Sequence, residues 1–278
     1  MNNVFLKNGL LMPSIGLGTG SGNLKGRKCR KVVRKALEIG YRHIDTASMY
    51  ENEADVGNGI ADSAIDRKDV FLTTKINTLE INNNQINDSF RNSLSDLKTD
   101  YVDLLLIHWP KFSTNLEDLL EIMFEIKESK RAIAIGVSNF NTTLLNECNR
   151  LGYKDIYCNQ IEYHPFLSQE VLLSKMKDMN VIPVAYCPIF RGEVSKVKAI
   201  KKLSKKYNKT PSQITLRWLF QQNVVSIPKT VKKRRLKENI DIYDFEIEVA
   251  DMNLIHALAC GKRQVPNTET DPLLGAWD

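Results

Sequence analysis

His43-Ile44-Asp45, with Tyr50 close behind it, Val70-Phe71-Leu72-Thr73-Thr74-Lys75 and Val102-Asp103-Leu104-Leu105-Leu106-Ile107-His108 are the stretches whose reading decides the fold. Each is an apolar run of strand length that ends on a residue able to move or steer a proton, and a helical pattern follows each one. In an α/β barrel the side chains at the carboxyl ends of the strands converge on one pocket. One titratable group at a strand end means little. A carboxylate, a phenol, an ammonium and an imidazole arriving together describe an active site.

Working outward, short apolar runs recur at 15–18, 43–45, 70–75, 102–108, 132–137, 157–162, 182–186 and 224–228, eight in all. Helical patterns lie between them at 27–37, 86–97, 116–126, 144–150, 171–179 and 212–221. Eight such units predict a closed (β/α)8 TIM barrel, an α/β fold, rather than an open doubly wound sheet. Ahead of it, residues 4–12 read as a β-hairpin turning at Asn8-Gly9. No linker interrupts the pattern, so residues 1–278 are expected to form a single domain. Thr142 or Thr143 is placed to cap the helix after the fifth strand, and Thr210-Pro211 suits the start of the helix before the eighth. Past Ala250 a last helical pattern reaches Cys260. The irregular tail after it, with Pro266, Pro272 and Trp277, is expected to cover one mouth of the barrel.

Composition is consistent with this architecture. With 278 residues, 42% of them hydrophobic, the chain has enough apolar material for one large core. No early segment joins a basic start to a sustained apolar run, and no apolar stretch approaches the roughly 20 residues that cross a bilayer. A cytoplasmic protein without a membrane partner is expected. The five cysteines, Cys29, Cys148, Cys158, Cys187 and Cys260, are scattered and lack metal-ligand spacing, which argues against a disulfide framework and against a metal site. The net charge of +6 raises the question of nucleic acid. However, the lysines at 196–206 have the spacing of a solvated helix face, and no aromatics interleave the basic residues as in single-strand binders. Nucleic acid is therefore not an expected partner. The glycines of 16–22 miss the GxGxxG spacing, and no acidic residue closes a dinucleotide fingerprint about 20 residues on, which excludes a Rossmann reading.

The four strand-end groups define a chemistry. A tyrosine, with an ordinary pKa of about 10, is a poor acid at neutral pH until its phenolate is stabilised. An ammonium within about 4 to 6 Å lowers a neighbouring acid by roughly 1 to 3 pH units, so Lys75 is expected to acidify Tyr50. Asp45 would hold Lys75 charged and aimed, and a neutral His108 would fix a substrate carbonyl oxygen near the phenol. This set donates a proton to an oxygen as charge develops there. It holds neither an acyl-transfer nucleophile nor a metal-ligand set, so the electrons must come from elsewhere.

Around these residues the chain closely resembles the aldo-keto reductase superfamily. Gly40-Tyr41-Arg42-His43-Ile44-Asp45-Thr46-Ala47, then Tyr50 and Asn52-Glu53, is similar to that family's first signature. Leu106-Ile107-His108-Trp109-Pro110, Ile135-Gly136-Val137-Ser138-Asn139-Phe140, Asn159-Gln160-Ile161-Glu162-Tyr163-His164-Pro165 and Ile227-Pro228-Lys229-Thr230 follow in the family's order. The likeness runs from Met12-Pro13 to Trp277-Asp278, and in gross arrangement it is nearest to the compact subgroup of 2,5-diketo-D-gluconate reductases and small prostaglandin F synthases.

The resemblance implies that Asp45, Tyr50, Lys75 and His108 form a catalytic tetrad with Tyr50 as general acid. It also implies that Ser138, Asn139 and Gln160 meet a nicotinamide carboxamide, that Tyr186 stacks on the ring, and that Gly18 and Thr19 adjoin the cofactor alongside Asp45. Lys229, Thr230 and Arg235 are implied to grip a 2′-phosphate, with Glu238 and Asn239 on adenine, which favours NADPH over NADH. Arginine's planar fork suits phosphate oxygens, and Lys232, Lys233 and Arg234 add positive charge for steering. Gly20, Tyr50, His108 and Trp109 are implied to line the substrate pocket.

Two positions depart from the family pattern. Gly20 stands where an aromatic residue is common, and Cys187 replaces a frequent serine. A short loop after His108 suggests an open pocket. The expectation is a monomeric NADPH-dependent reductase of small carbonyl compounds, without a metal. Two alternatives are a non-catalytic nucleotide-binding relative and a Schiff-base enzyme using Lys75.

Overall fold

The computed structural model describes residues 3–20, 23–78, 82, 85–110 and 115–265. Strands β1 (Asn3–Phe5) and β2 (Leu11–Pro13) pair antiparallel as the expected hairpin. The turn between them holds three residues, with Gly9 at φ +81° accommodating a left-handed backbone and Leu6 and Leu10 as the last bonded pair.

Eight parallel strands follow: β3 (Leu17–Gly18), β4 (His43–Asp45), β5 (Phe71–Ile76), β6 (Val102–Ile107), β7 (Ala132–Ser138), β8 (Cys158–Glu162), β9 (Ile182–Tyr186) and β10 (Val225–Ser226). Each pairs in parallel with the next. The seam between the first and the eighth is closed by Gly16 N–H donating to Ser226 O (2.8 Å) and Ser226 N–H donating to Ser14 O (2.9 Å). This is the expected (β/α)8 barrel.

The connecting helices are α1 (Gly26–Ile39), α2 (Glu53–Ala61), α3 (Ile86–Leu97), α4 (Leu116–Glu128), α5 (Thr142–Arg150), α6 (Glu170–Asp178), α7 (Lys198–Lys206), α8 (Pro211–Phe220), α9 (Lys233–Ile240) and α10 (Val249–His256). Side-chain caps mark the starts of α4, α5 and α8. Thr210-Pro211 starts α8 as the sequence suggested, and Thr210 also forms a capping box with Gln213. At α5 the expectation is corrected: Asn141, not Thr142 or Thr143, accepts the Leu144 N–H, because the extended backbone falls at Asn141 and the threonines already lie inside the helix.

Side chains alternate across a strand, and here both faces are buried. Ile44, Leu72, Leu105, Ile107, Ile135, Val137 and Ile161 face the helices. Phe71, Leu104, Leu106, Ala134, Cys158, Val184, Val225 and Ile227 fill the barrel interior, and Leu6 and Met12 of the hairpin join that interior cluster at the amino end. Continuing the inward parity toward the carboxyl ends gives Asp45, Lys75, His108, Ser138, Gln160, Glu162 and Tyr186. The same alternation that fills the barrel therefore delivers these polar groups to one mouth.

Candidate active site

Lys75 is fully buried (0% exposed), with Asp45 at 1% and His108 at 6%. Lys75 Nζ donates to Asp45 Oδ1 at 2.6 Å and to the Thr46 carbonyl at 2.7 Å. A buried ion pair persists only where its remaining valences are met. Here Gln160 Nε2 donates to the other carboxylate oxygen at 2.8 Å.

Tyr50 sits on the short turn after β4, its ring 5.1 Å from Lys75 Nζ and 5.5 Å from the His108 ring in an edge-on contact. Burial opposes charge on Lys75, but Asp45 and then Tyr50 hold its ammonium above the ordinary range. For Tyr50 the balance differs from the sequence expectation. Burial raises the phenol and outweighs the downward pull of Lys75, so the net direction is upward. Burial, followed by the Lys75 charge, drives His108 down to about 3, which keeps its imidazole neutral. His108 Nδ1 is buried with no hydrogen-bond partner among the described residues.

The expected nicotinamide residues form a chain of bonds leading to the tetrad. The Tyr186 hydroxyl donates to Asn139 Oδ1 (2.9 Å), Asn139 Nδ2 donates to Ser138 Oγ (3.1 Å) and to His108 O (3.0 Å), and Ser138 Oγ donates to Gln160 O (2.8 Å). Gln160 thus does two things, fixing Asp45 with its amide and Ser138 with its carbonyl. Gly18 and Thr19 make their contacts with the barrel wall. A Cβ on Gly18 would stand 2.6 Å from Ile227 O, and Thr19 bonds the Asp45 carbonyl through both N–H (2.9 Å) and Oγ1 (3.0 Å).

At the far end of the mouth, Thr230 Oγ1 accepts the Lys232 N–H (3.2 Å) just ahead of α9. Glu238 accepts the Thr210 hydroxyl (2.7 Å), while Asn239 Nδ2 is buried without a partner among the described residues. Arg235 is exposed on the same helix. Sequence reading missed two further cations. Burial lowers the Lys229 ammonium first, and Lys28 and Arg191 then lower it further, so a cation from the first turn of α1 and two from the segments after β9 and β10 share one region. Their positions after β3, β9 and β10, neighbours around the barrel, were the available signal.

Trp109 is half-buried, and its carbonyl accepts the Thr78 hydroxyl. The loop after it, 111–114, lies outside the described residues, as does 266–278 of the tail. The start of the tail is fixed: Gln264 and Val265 N–H donate to the Glu162 carboxylate (2.5 and 3.0 Å), which is also paired with His164 Nε2 (2.8 Å).

A model of the Aldo/keto reductase family matches residues 14–259. The chain belongs to the aldo/keto reductase family. This aldo-keto reductase is 36% identical over 266 residues to a glyoxal reductase of Bacillus subtilis, covering 96% of each chain. Among solved structures, one described as a putative 2,5-diketo-D-gluconic acid reductase B superposes with a TM-score of 0.93 at 36% identity, over 100% of this chain and 98% of that one. An aldo-keto reductase of Bombyx mori, solved in complex with NADP, gives 0.88 at 31% identity, over 94% of both. The family reduces carbonyl groups, and this chain is an oxidoreductase of that kind. Among the described residues no helix is long and apolar enough to cross a membrane.

Proposed function

We propose that this aldo-keto reductase uses NADPH to reduce small aldehydes and dicarbonyls to alcohols, with Tyr50 as the proton donor. The observation that carries the reading is the buried Lys75, bonded to Asp45 at 2.6 Å, standing beside Tyr50 and a neutral His108.

As negative charge develops on a substrate oxygen, the Tyr50 hydroxyl donates its proton there. The Lys75 ammonium offsets the charge left on the phenolate, and Asp45 with the Thr46 carbonyl keeps that ammonium in place. His108, neutral, directs a ring nitrogen toward the same oxygen and stabilises it without taking a proton. A bound reduced nicotinamide dinucleotide supplies the hydride these side chains lack.

The residues present fit that cofactor. Ser138, Asn139, Gln160 and Tyr186 would hold its nicotinamide end, and Lys229, Thr230, Arg235, Glu238 and Asn239 its adenosine end. The unpartnered Asn239 amide and the positive group of Lys28, Arg191 and Lys229 suit adenine and an added phosphate. The similarity to proteins described as reductases of glyoxal and of a diketo acid supports dicarbonyls as the substrate class. Gly20 and the half-buried Trp109 would form part of the wall around such a substrate.

A direct test follows NADPH and NADH oxidation across a panel that includes methylglyoxal and 4-nitrobenzaldehyde, in wild type and in Lys229→Met. Expected are turnover with several carbonyls, a preference for NADPH in kcat/KM, and a tenfold or larger loss of that preference in the variant, corresponding to about 1.4 kcal/mol. Equal efficiency with both dinucleotides in wild type would overturn the cofactor assignment. NADPH binding without oxidation by any carbonyl would favour a non-catalytic role.

A further inference from the structure

Glu162 is a buried carboxylate at the mouth that the tetrad does not use. It lies on the inward face of β8, one inward step beyond Gln160, and its backbone pairs with Tyr186 of β9. The residue is 1% exposed, and three N–H groups converge on it. Oε1 accepts from His164 Nε2 (2.8 Å) and from the Gln264 N–H (2.5 Å), and Oε2 accepts the Val265 N–H (3.0 Å).

His164 cannot change sides in this arrangement. Its Nδ1 accepts the Phe166 N–H (3.3 Å), so the ring proton sits on Nε2 and faces Glu162. The hub is also fixed in place: the His164 ring packs on Phe166 and Phe190 at 5.9 and 4.6 Å, and Gln169 Nε2 donates to the Glu162 carbonyl at 2.8 Å. The same turn holds the segment after α10 by its backbone, since Phe166 O accepts the Cys260 N–H (3.0 Å) and the Lys262 N–H (3.2 Å). Burial first, and then the Glu162 charge, hold the Tyr186 phenol well above its ordinary range, while Arg263 acts in the opposite sense. The start of the tail therefore stands within electrostatic reach of the ring assigned to the nicotinamide.

Three donors facing one side chain call for an acceptor and nothing else. A carboxylate offers two acceptor oxygens, whereas glutamine offers one and puts an NH2 group where the other stood. With the His164 proton fixed, neither orientation of an amide satisfies all three donors. We infer that Glu162 is a positioning residue for the substrate wall: backed by His164, its carboxylate pins residues 264 and 265 to the mouth beside Tyr186 and so sets how tightly a carbonyl substrate is held, leaving proton transfer to the tetrad. The inference rests on reading this mouth as the site of carbonyl reduction.

The test is Glu162→Gln in the full chain, read in two ways. Hydrogen exchange followed by mass spectrometry reports the amides of Gln264 and Val265 with no substrate present, and kcat and KM for methylglyoxal with NADPH report the wall. The anchor predicts a loss of protection at 264–265 of about 10-fold or more and a KM raised about 10-fold with kcat within about twofold, the pattern of lost binding common to ground and transition states. Unchanged protection, or a fall in kcat at constant KM, would overturn it. Val265→Pro removes one donated N–H and leaves Glu162 in place. It should raise KM in the same direction and, combined with Glu162→Gln, add less than the sum of the two. Strictly additive effects count against the proposal. If Glu162→Gln fails to fold, Val265→Pro decides alone, and a wild-type KM with wild-type protection at Gln264 would overturn it. Absence of NADPH-dependent turnover in wild type would defeat the carbonyl-reductase reading, a failure that the exchange measurement distinguishes from failure of the anchor.

Discussion

The two ends of the barrel interior are built from the same strands and hold opposite contents. At the amino end, Phe71 and Leu104 pack with Leu6 and Met12 of the hairpin in an apolar plug. At the carboxyl end, two inward steps further along those strands, stand Lys75 and His108, joined to Asp45, Gln160, Ser138 and Asn139 by hydrogen bonds. Alternation is the same at both ends, so it explains burial but not content. What differs is the energetic role of each residue. The plug is held by apolar area removed from water, whereas the polar mouth is held only while every buried charge keeps its partners. An arrangement of the second kind adds little net stability, and its position beside the largely buried phenol of Tyr50 is that of a site that performs chemistry.

The sharpest way to break this contrast is Lys75→Met. Turnover is expected to be lost, and the unfolding free energy, measured by urea titration, to fall by about 3 to 5 kcal/mol because Asp45 is left as a buried charge without its cation. Lys75→Met/Asp45→Leu should regain much of that stability and none of the activity. If the double variant regained activity, the ion pair would be structural only. A smaller effect on activity, and one of the other kind, is expected at the plug. Met12→Ala should lower stability by about 2 to 5 kcal/mol through the cavity it leaves, with kcat of the folded enzyme unchanged. A large fall in kcat from Met12→Ala would show that the two ends are coupled and would undo the separation drawn between them.

Much of this was legible in the sequence because two of the strands that carry the tetrad, β5 and β6, are long and apolar. β5 and β6 each have six residues, and their inward parity runs without a break into Lys75 and His108. The closing strands were harder to read. β3 and β10 each have two residues in ladder pairing, and the seam is made by backbone bonds that leave no pattern in the side chains.

Helix α2 was passed over, since Gly57 and Gly59 weaken a helical reading. The structure gives their reason: a Cβ on Gly57 would lie 2.6 Å from Leu97 O, and one on Gly59 2.7 Å from Val33 Cβ, so both glycines allow close helix packing. The site was legible as a set of residues but not as a balance of forces. That burial outweighs Lys75 at Tyr50 depends on how much protein surrounds the phenol. That Glu162 anchors the start of the tail depends on contacts across 102 and 103 positions of sequence. Lys28 and Arg191 join Lys229 only through the order of strands around the barrel.

The central claim is that Tyr50, held beside the buried Lys75, donates the proton in carbonyl reduction. Tyr50→Phe removes one hydroxyl and leaves the ring. Single-turnover reduction of methylglyoxal with NADPH, followed beside NADPH binding in the same preparation, tests it most directly. The expected result is unchanged NADPH affinity with reduction at background. Reduction at the wild-type rate would contradict it.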